Sequence, residues 1–200
     1  MRRAFSISTA TIITLLLASS AQAAIHLFGT ELRGDNEVPP VATPATGEVL
    51  LTLDDIANTL RIQATFSGLV GTTTVAHIHC CTLPGANAGV ATTLPTFPGF
   101  PAGVSSGSYD QTFSLLDSGF YSPAFFTTNG STEASAMNVF VSALNNGTSY
   151  FNIHTSQYPG GEIRGQISVV PEAGAWAMMI VGFGVVGLAA RRRGVTVANS

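Results

Sequence analysis

The 200-residue chain has eight arginines, eleven acidic residues and no lysine, which gives a formal net charge of −3 at pH 7. Between residues 24 and 170 there are three arginines and ten acidic residues, so this part has a net charge of −7. Neutralising phosphates requires clustered lysines and arginines, so the composition excludes nucleic acid as a partner.

The first 23 residues have the features of a secretory signal peptide. Two arginines are followed by an apolar or hydroxylic run at residues 10–18, and the small-x-small sequence Ala-Gln-Ala stands at 21–23. The apolar run is too short to span a bilayer, which argues against a membrane anchor. We therefore expect export, cleavage by signal peptidase after residue 23, and a mature chain that begins near Ala24.

Short strand-like segments, separated by Gly, Pro, Asn and Asp, dominate residues 24–170. The remaining length of about 150 residues is enough for one domain with a core of its own. The spacing of the segments is typical of an all-β antiparallel sandwich or barrel. The predicted strands are 26–33, 47–54, 59–69, 75–79, 109–115, 149–155 and 162–170.

Two segments depart from this strand pattern. Residues 83–107 are rich in Pro, Gly, Ala and Thr and are predicted to form a long loop, which is usually functional or flexible. Residues 132–144 change to a helical period and are followed by an Asn-Gly stop signal, so we predict one short helix. The apolar face of this helix consists of Ala136, Met137, Phe140 and Leu144.

The segment Ala-His-Ile-His-Cys-Cys, residues 76–81, is the strongest candidate site. On a strand, His77 and His79 point to the same face with Cα atoms about 7 Å apart, so both imidazoles can reach one metal ion. His154, on a later strand, is a third candidate ligand. Two or three imidazoles with an open coordination position would suit copper or zinc. The pattern nevertheless favours a structural polar cluster, in which the rings associate with Asn152, Glu162 and Arg164, over a metal site.

The adjacent Cys80 and Cys81 are the two cysteines of the chain. Export makes a disulfide possible, and neighbouring strand residues point to opposite faces. The pair therefore forms a vicinal disulfide, bonds to another molecule, or stays as two free thiols; the first option is slightly favoured. If the strand continued, Cys81 would share the face of His77 and His79 and become a further metal ligand.

Glu162 and Arg164 lie two residues apart on one face of the last predicted strand. We expect them to form a local, solvated ion pair that contributes little stability. The chain contains none of the Gly-x-Ser-x-Gly, His-Glu-x-x-His or phosphate-loop patterns of common enzyme classes.

The end of the chain predicts a membrane segment. Residues 173–190 are uncharged, and Arg191, Arg192 and Arg193 follow at once. This length is at the lower limit for a spanning helix, and basic residues after it stay cytoplasmic. We therefore expect a transmembrane helix over 173–190, with Trp176 at its outer interface and a cytoplasmic tail at 194–200.

Residues 171–193 resemble the PEP-CTERM protein-sorting signal of diderm bacteria, in which a Pro-Glu-Pro motif, a short hydrophobic helix and a basic cluster follow one another. Pro171 and Glu172 match the motif, and Ala173 stands where the family has its second proline. The resemblance implies export, transient anchoring in the membrane, and recognition by an exosortase-type protease near residues 171–173.

The intervening domain resembles the CHRD domain, named from chordin. The matching segments are LRGDNEVPPV (32–41), Gly47, AHIH (76–79), Gly89-Val90, NIHT (152–155) and PGGEIRG (159–165). The resemblance implies an immunoglobulin-like antiparallel sandwich without established enzymatic activity. Some of these segments also look like those of Cu/Zn superoxide dismutase, which would nominate His77, His79 and His154 as ligands. The other dismutase ligands have no counterparts here.

Three functions follow as hypotheses. The first is a non-enzymatic surface or matrix protein that needs no cofactor, is anchored before processing, and then associates with envelope or matrix components. The second is an exported copper- or zinc-binding protein that uses His77 and His79, with His154 as a third candidate. The third, dismutase-like catalysis, is the weakest of the three, because the ligand set is incomplete.

Overall fold

A computed structural model describes residues 25–171. These residues form a mostly β structure of antiparallel strands, which confirms the coarser part of the fold prediction. Within this range, none of the helices combines the length and the apolar character needed to cross a membrane. The predicted signal peptide and the predicted helix at 173–190 lie outside the described residues.

Eight strands and two α-helices make up the described part of the chain. The strands are β1 Ile25–Arg33, β2 Thr46–Asp54, β3 Thr59–Ser67, β4 Thr73–Cys80, β5 Gly107–Ser114, β6 Ser149–Thr155, β7 Ile163–Gln166 and β8 Ser168–Val169. The helices are α1 Pro123–Thr128 and α2 Glu133–Asn145. The single strand predicted at 162–170 is therefore two short strands, β7 and β8.

Hydrogen bonds connect the strands into one antiparallel sheet with the order β4-β6-β7-β1-β2-β3-β5, and β8 pairs with β1. The register places Phe28 of β1 opposite Leu51 of β2, and Leu51 opposite Ile62 of β3. All three side chains are fully buried. Alternation of apolar and polar residues thus turns one face of these strands into the core, as a strand period of two requires.

The sheet curls until strands from its two ends approach each other across the core. Phe97, in the connection between β4 and β5, lies 6.2 Å from the ring of Tyr109 on β5 and 5.8 Å from that of Phe151 on β6. Phe97 and Phe151 are fully buried. The Pro/Gly-rich segment at 83–107 therefore supplies part of the hydrophobic core, a role that its composition did not indicate.

Helix α2 agrees with the predicted helix to within one residue at each end. The Thr132 hydroxyl caps it by accepting a hydrogen bond from the Ser135 amide, and its buried side chains include Phe140 and Leu144. Residues 25–171 contain two α-helices rather than the one predicted for this range. Helix α1 is only six residues long, so it is too short to show a helical period in the sequence.

Glu162, directly before β7, is fully buried. It accepts hydrogen bonds from four groups: the Val70 amide (2.7 Å), the Gly71 amide (3.1 Å), the Thr43 hydroxyl (2.7 Å) and the Thr155 hydroxyl (2.7 Å). Burial by itself would raise the pKa of Glu162, but these hydrogen bonds together outweigh it and lower the pKa. The carboxylate is a buried anchor, so the solvated ion pair with Arg164 expected from the sequence is wrong.

Replacing Glu162 with glutamine should lower the free energy of unfolding by about 3 kcal/mol. The side-chain NH₂ of glutamine would face buried groups that are themselves hydrogen-bond donors, so some of them would lose their acceptor. Urea denaturation of the full-length protein measures this loss. The control is Glu48→Gln, a substitution of an exposed side chain on β2, which should change the value by less than about 0.5 kcal/mol. Equal effects of the two substitutions would contradict the anchor role.

Candidate metal centre

Strands β4 and β6 place the predicted ligands on one side of the sheet. Their inner face carries apolar residues such as Ile78 and Phe151, which lie opposite each other in the register. Because the side chains alternate, His77 and His79 of β4 and His154 of β6 lie on the other face. This face is also covered: His77 is 5% exposed and His79 is 8% exposed.

The structure brings the three histidines together. The ring centroids of His77 and His79 are 5.9 Å apart, those of His77 and His154 are 5.5 Å apart, and those of His79 and His154 are 6.0 Å apart. One nitrogen from each ring can be chosen so that all three lie within 4.8 Å of one another. Three potential ligand atoms therefore converge from two neighbouring strands.

Each imidazole uses one of its two nitrogens to contact a backbone carbonyl. A carbonyl only accepts, so these nitrogens carry the hydrogen, and in a neutral ring the other nitrogen carries a lone pair. The donors His77 Nε2, His79 Nδ1 and His154 Nδ1 contact, in this order, the oxygens of Pro95 (2.6 Å), Ala88 (2.9 Å) and Pro159 (2.8 Å). The other nitrogens, His77 Nδ1, His79 Nε2 and His154 Nε2, are buried and have no hydrogen-bond partner.

Burial also keeps the rings neutral. It lowers the pKa of His77 and of His154 below the ordinary value, and it lowers the pKa of His79 to about 4. For His79 the neighbouring rings and Arg164 act in the same direction. At neutral pH the three lone pairs are therefore available to a metal ion without loss of a proton.

Tyr150 packs against His79 and fixes its orientation. Its ring stacks on the imidazole with a centroid separation of 4.7 Å and an interplanar angle of 4°. Its hydroxyl accepts a hydrogen bond from the Ala88 amide (3.2 Å) and also contacts the Ala88 carbonyl (3.5 Å), which is the acceptor for His79. Tyr150 thus holds both the plane of His79 and the group that sets its tautomer.

Arg164 lies behind Tyr150, with its guanidinium carbon 4.6 Å from the ring centroid. The side chain is buried and donates to the Asn36 carbonyl (2.5 Å) and the Asn87 side-chain oxygen (2.8 Å). Its Nε is 3.8 Å from Glu37, whose pKa is raised to about 7 because burial outweighs the attraction of Arg164. At neutral pH Glu37 therefore balances the buried positive charge of Arg164 only in part.

The structural polar cluster that the sequence favoured has a different composition from the one expected. Among residues 25–171, the imidazole rings of His77, His79 and His154 make no hydrogen bond to the side chains of Asn152, Glu162 or Arg164. The ring partners are backbone carbonyls of loops instead. Sequence patterns carry no signal for such carbonyls, whereas Tyr150 could have been found, because it alternates with His154 on the same strand face.

Cys80 and Cys81 are joined by a disulfide. Cys80 is buried in the core and Cys81 is exposed at the end of β4. In this state neither sulfur is a thiolate, so the ligand cluster consists of the three histidines. Of the predicted sorting residues, Pro171 is exposed at the end of the described range. The others lie outside it: Glu172, Ala173, Trp176, Arg191, Arg192 and Arg193.

Comparison with known protein families gives two matches. Residues 28–167 match the family model of the CHRD domain. Residues 169–193 match the model of the PEP-CTERM protein-sorting motif. No curated protein and no solved structure shows significant similarity to the chain.

Tyr150→Phe should keep the ring stack but remove the hydroxyl that holds Ala88, so His79 should populate both tautomers. NMR of the imidazole nitrogens in the metal-free protein measures the tautomer. The matched control is Tyr121→Phe, which removes a hydroxyl that donates to the Leu115 carbonyl at 2.8 Å. An unchanged His79 tautomer in Tyr150→Phe would contradict this support.

Lowering the pH from 7 toward 4 should destabilise the metal-free fold through His79. Its folded-state pKa, about 4, is below the ordinary value of 6.5, so the unfolded chain takes up a proton first. The stabilising contribution is complete above pH 6.5 and is lost as the pH falls through the folded-state pKa. A difference of this size corresponds to about 3 kcal/mol.

Urea unfolding at several pH values compares the wild type with His79→Asn, which should show a correspondingly smaller loss of stability. His26→Asn, at a histidine whose side chain is 45% exposed, should follow the wild type. A His79→Asn profile parallel to that of the wild type would refute the assignment.

Proposed function

Because the chain belongs to the CHRD-domain family and carries a PEP-CTERM sorting motif, we propose that it is an exported surface protein whose domain binds one transition-metal ion. The ligands are His77, His79 and His154. The sorting motif marks the chain for export and for processing by an exosortase. The metal site is the part of the proposal that rests on the geometry of the domain.

The observation that carries this proposal is the convergence of three histidines, each with one buried and unpartnered ring nitrogen. Buried polar atoms are normally hydrogen-bonded, so three orphaned lone pairs in one place call for a common partner. In known metal sites a ligating histidine donates its second nitrogen to a carbonyl or carboxylate, and all three rings do so here. Neutral imidazoles of this kind suit copper or zinc.

The spacing is compatible with such an ion. Bonds of about 2.0–2.1 Å in a tetrahedral zinc site place the ligand nitrogens about 3.4 Å apart. One nitrogen from each ring lies within 4.8 Å of the other two, so the rings would have to move closer together to hold an ion. The strands that carry them are adjacent and need no rearrangement.

We assign the site a binding role rather than a catalytic one. The free nitrogens are buried, so an ion held there would be shielded from a substrate. A non-enzymatic role in the envelope or matrix agrees with this shielding and with what the family resemblance implies. Dismutase-like turnover would require open access to the ion.

The remaining parts of the proposal concern the ends of the chain and the finer fold. We assign residues 1–23 to a signal peptide removed by signal peptidase, and residues 173–190 to a helix that anchors the protein until processing. The partners that follow are signal peptidase, the exosortase, and envelope or matrix components. An immunoglobulin-like or dismutase-like sandwich remains the predicted class of the curled sheet.

Metal analysis of the full-length protein should find one copper or zinc ion per chain. His77→Ala/His79→Ala should abolish stoichiometric binding, and His154→Ala should weaken it at least about tenfold. His26→Ala is the matched control, because His26 lies on β1 and contacts Asp55 at 3.6 Å. Wild-type protein without copper or zinc would refute the metal-binding function, and equal loss in the control would refute the ligand assignment.

A further inference from the structure

The cluster of His, Cys, Asp and Glu side chains at this place consists of three histidines among the described residues. Asn152, opposite His77 in the register, adds a buried, unpartnered amide oxygen, a ligand type that suits harder ions than copper or zinc. Within residues 25–171, the group that can hold an ion consists of His77, His79 and His154, with no carboxylate or thiolate among them. Structural zinc sites have four protein ligands, and catalytic zinc sites complete three ligands with a water molecule. A zinc ion in this cluster would therefore need a ligand from solvent.

Solvent has little access to the place where that ligand would have to bind. The three free nitrogens each have less than 1 Å² of accessible surface. The loop residues that accept from His77 and His79, Pro95 and Ala88, come from the connection that covers this face. Three-coordinate binding is thus the arrangement that the packing favours.

The electrostatic surroundings favour an ion of low charge. The three ligand rings are neutral, and the buried guanidinium of Arg164 already places a positive charge behind Tyr150. The carboxyl group nearest to that charge is that of Glu37, which lies 3.8 Å from Arg164. Glu37 pairs with Arg164 and not with the histidine cluster. Adding two further positive charges to a buried region costs more than adding one.

We propose that this site binds copper as Cu(I), held by the three histidines alone, in preference to zinc. The inference rests on the proposed metal-binding function and specifies its ion. Cu(I) is monovalent and completes its coordination with two or three nitrogen ligands, whereas Zn²⁺ is divalent and requires four. Both the ligand count and the charge of the surroundings therefore select the same ion.

The test compares the two affinities on the full-length protein. Cu(I) is titrated anaerobically against a chromophoric Cu(I) chelator with ascorbate as the reductant, and Zn²⁺ is titrated against a zinc-binding dye. Ascorbate is used instead of a thiol so that the Cys80–Cys81 disulfide stays intact. We expect one Cu(I) per chain, bound at least about 100-fold more tightly than Zn²⁺. The X-ray absorption spectrum at the copper edge should fit three nitrogen ligands.

A gain-of-function variant tests the missing fourth ligand. Val75 is half-buried on β4, directly opposite His154 and on the same face as His77. Val75→His adds an imidazole at the edge of the cluster, so the affinity for Zn²⁺ should rise at least about tenfold. The control, Val75→Leu, should leave both affinities unchanged.

The outcomes distinguish a wrong choice of ion from a wrong metal-binding function. Zinc bound by the wild type as tightly as Cu(I) would overturn the choice of ion and leave the metal-binding function in place. Failure of Val75→His to strengthen zinc binding, in a folded protein, would contradict the argument from ligand count. Absence of binding by either ion would overturn both the choice of ion and the metal-binding function.

Discussion

One buried carboxylate holds together the end of the sheet on which the histidines lie. Glu162 accepts from Thr155 at the end of β6 and from the amides of Val70 and Gly71 just before β4. These contacts tie the two ligand-bearing strands to the start of β7. They support, at one end of the ladder, the register that sets His77 and His79 beside His154. A charged group inside the protein is thus stabilised by hydrogen bonds, and it positions the site.

The candidate site is unusual in that both faces of one strand are buried. On β4, Ile78 packs into the hydrophobic core, while His77 and His79 are covered by loops on the opposite face. Covering a polar face is costly unless its polar atoms find partners. The loop carbonyls satisfy one nitrogen of each ring, and the remaining three nitrogens account for the affinity that we propose for a metal ion.

The sequence predicted much of the fold and part of the site. Alternation located the main strands, and the helical period located α2, because both patterns depend on neighbours along the chain. Helix α1 was missed because six residues are too few to establish a period. Glu162 was misjudged as a surface charge, because three of its four donors are distant in sequence: Thr43 is 119 residues away, Val70 is 92 and Gly71 is 91.

The sequence by itself determined that His77 and His79 share one face of a strand, since a period of two follows from strand geometry alone. It also nominated His154, but it did not determine which strand lies beside β4. Only the tertiary structure decided that β6 is the neighbour, that loop carbonyls orient the rings, and that the ligand face is shielded from solvent. These features depend on contacts between residues far apart in the chain, which local patterns do not encode.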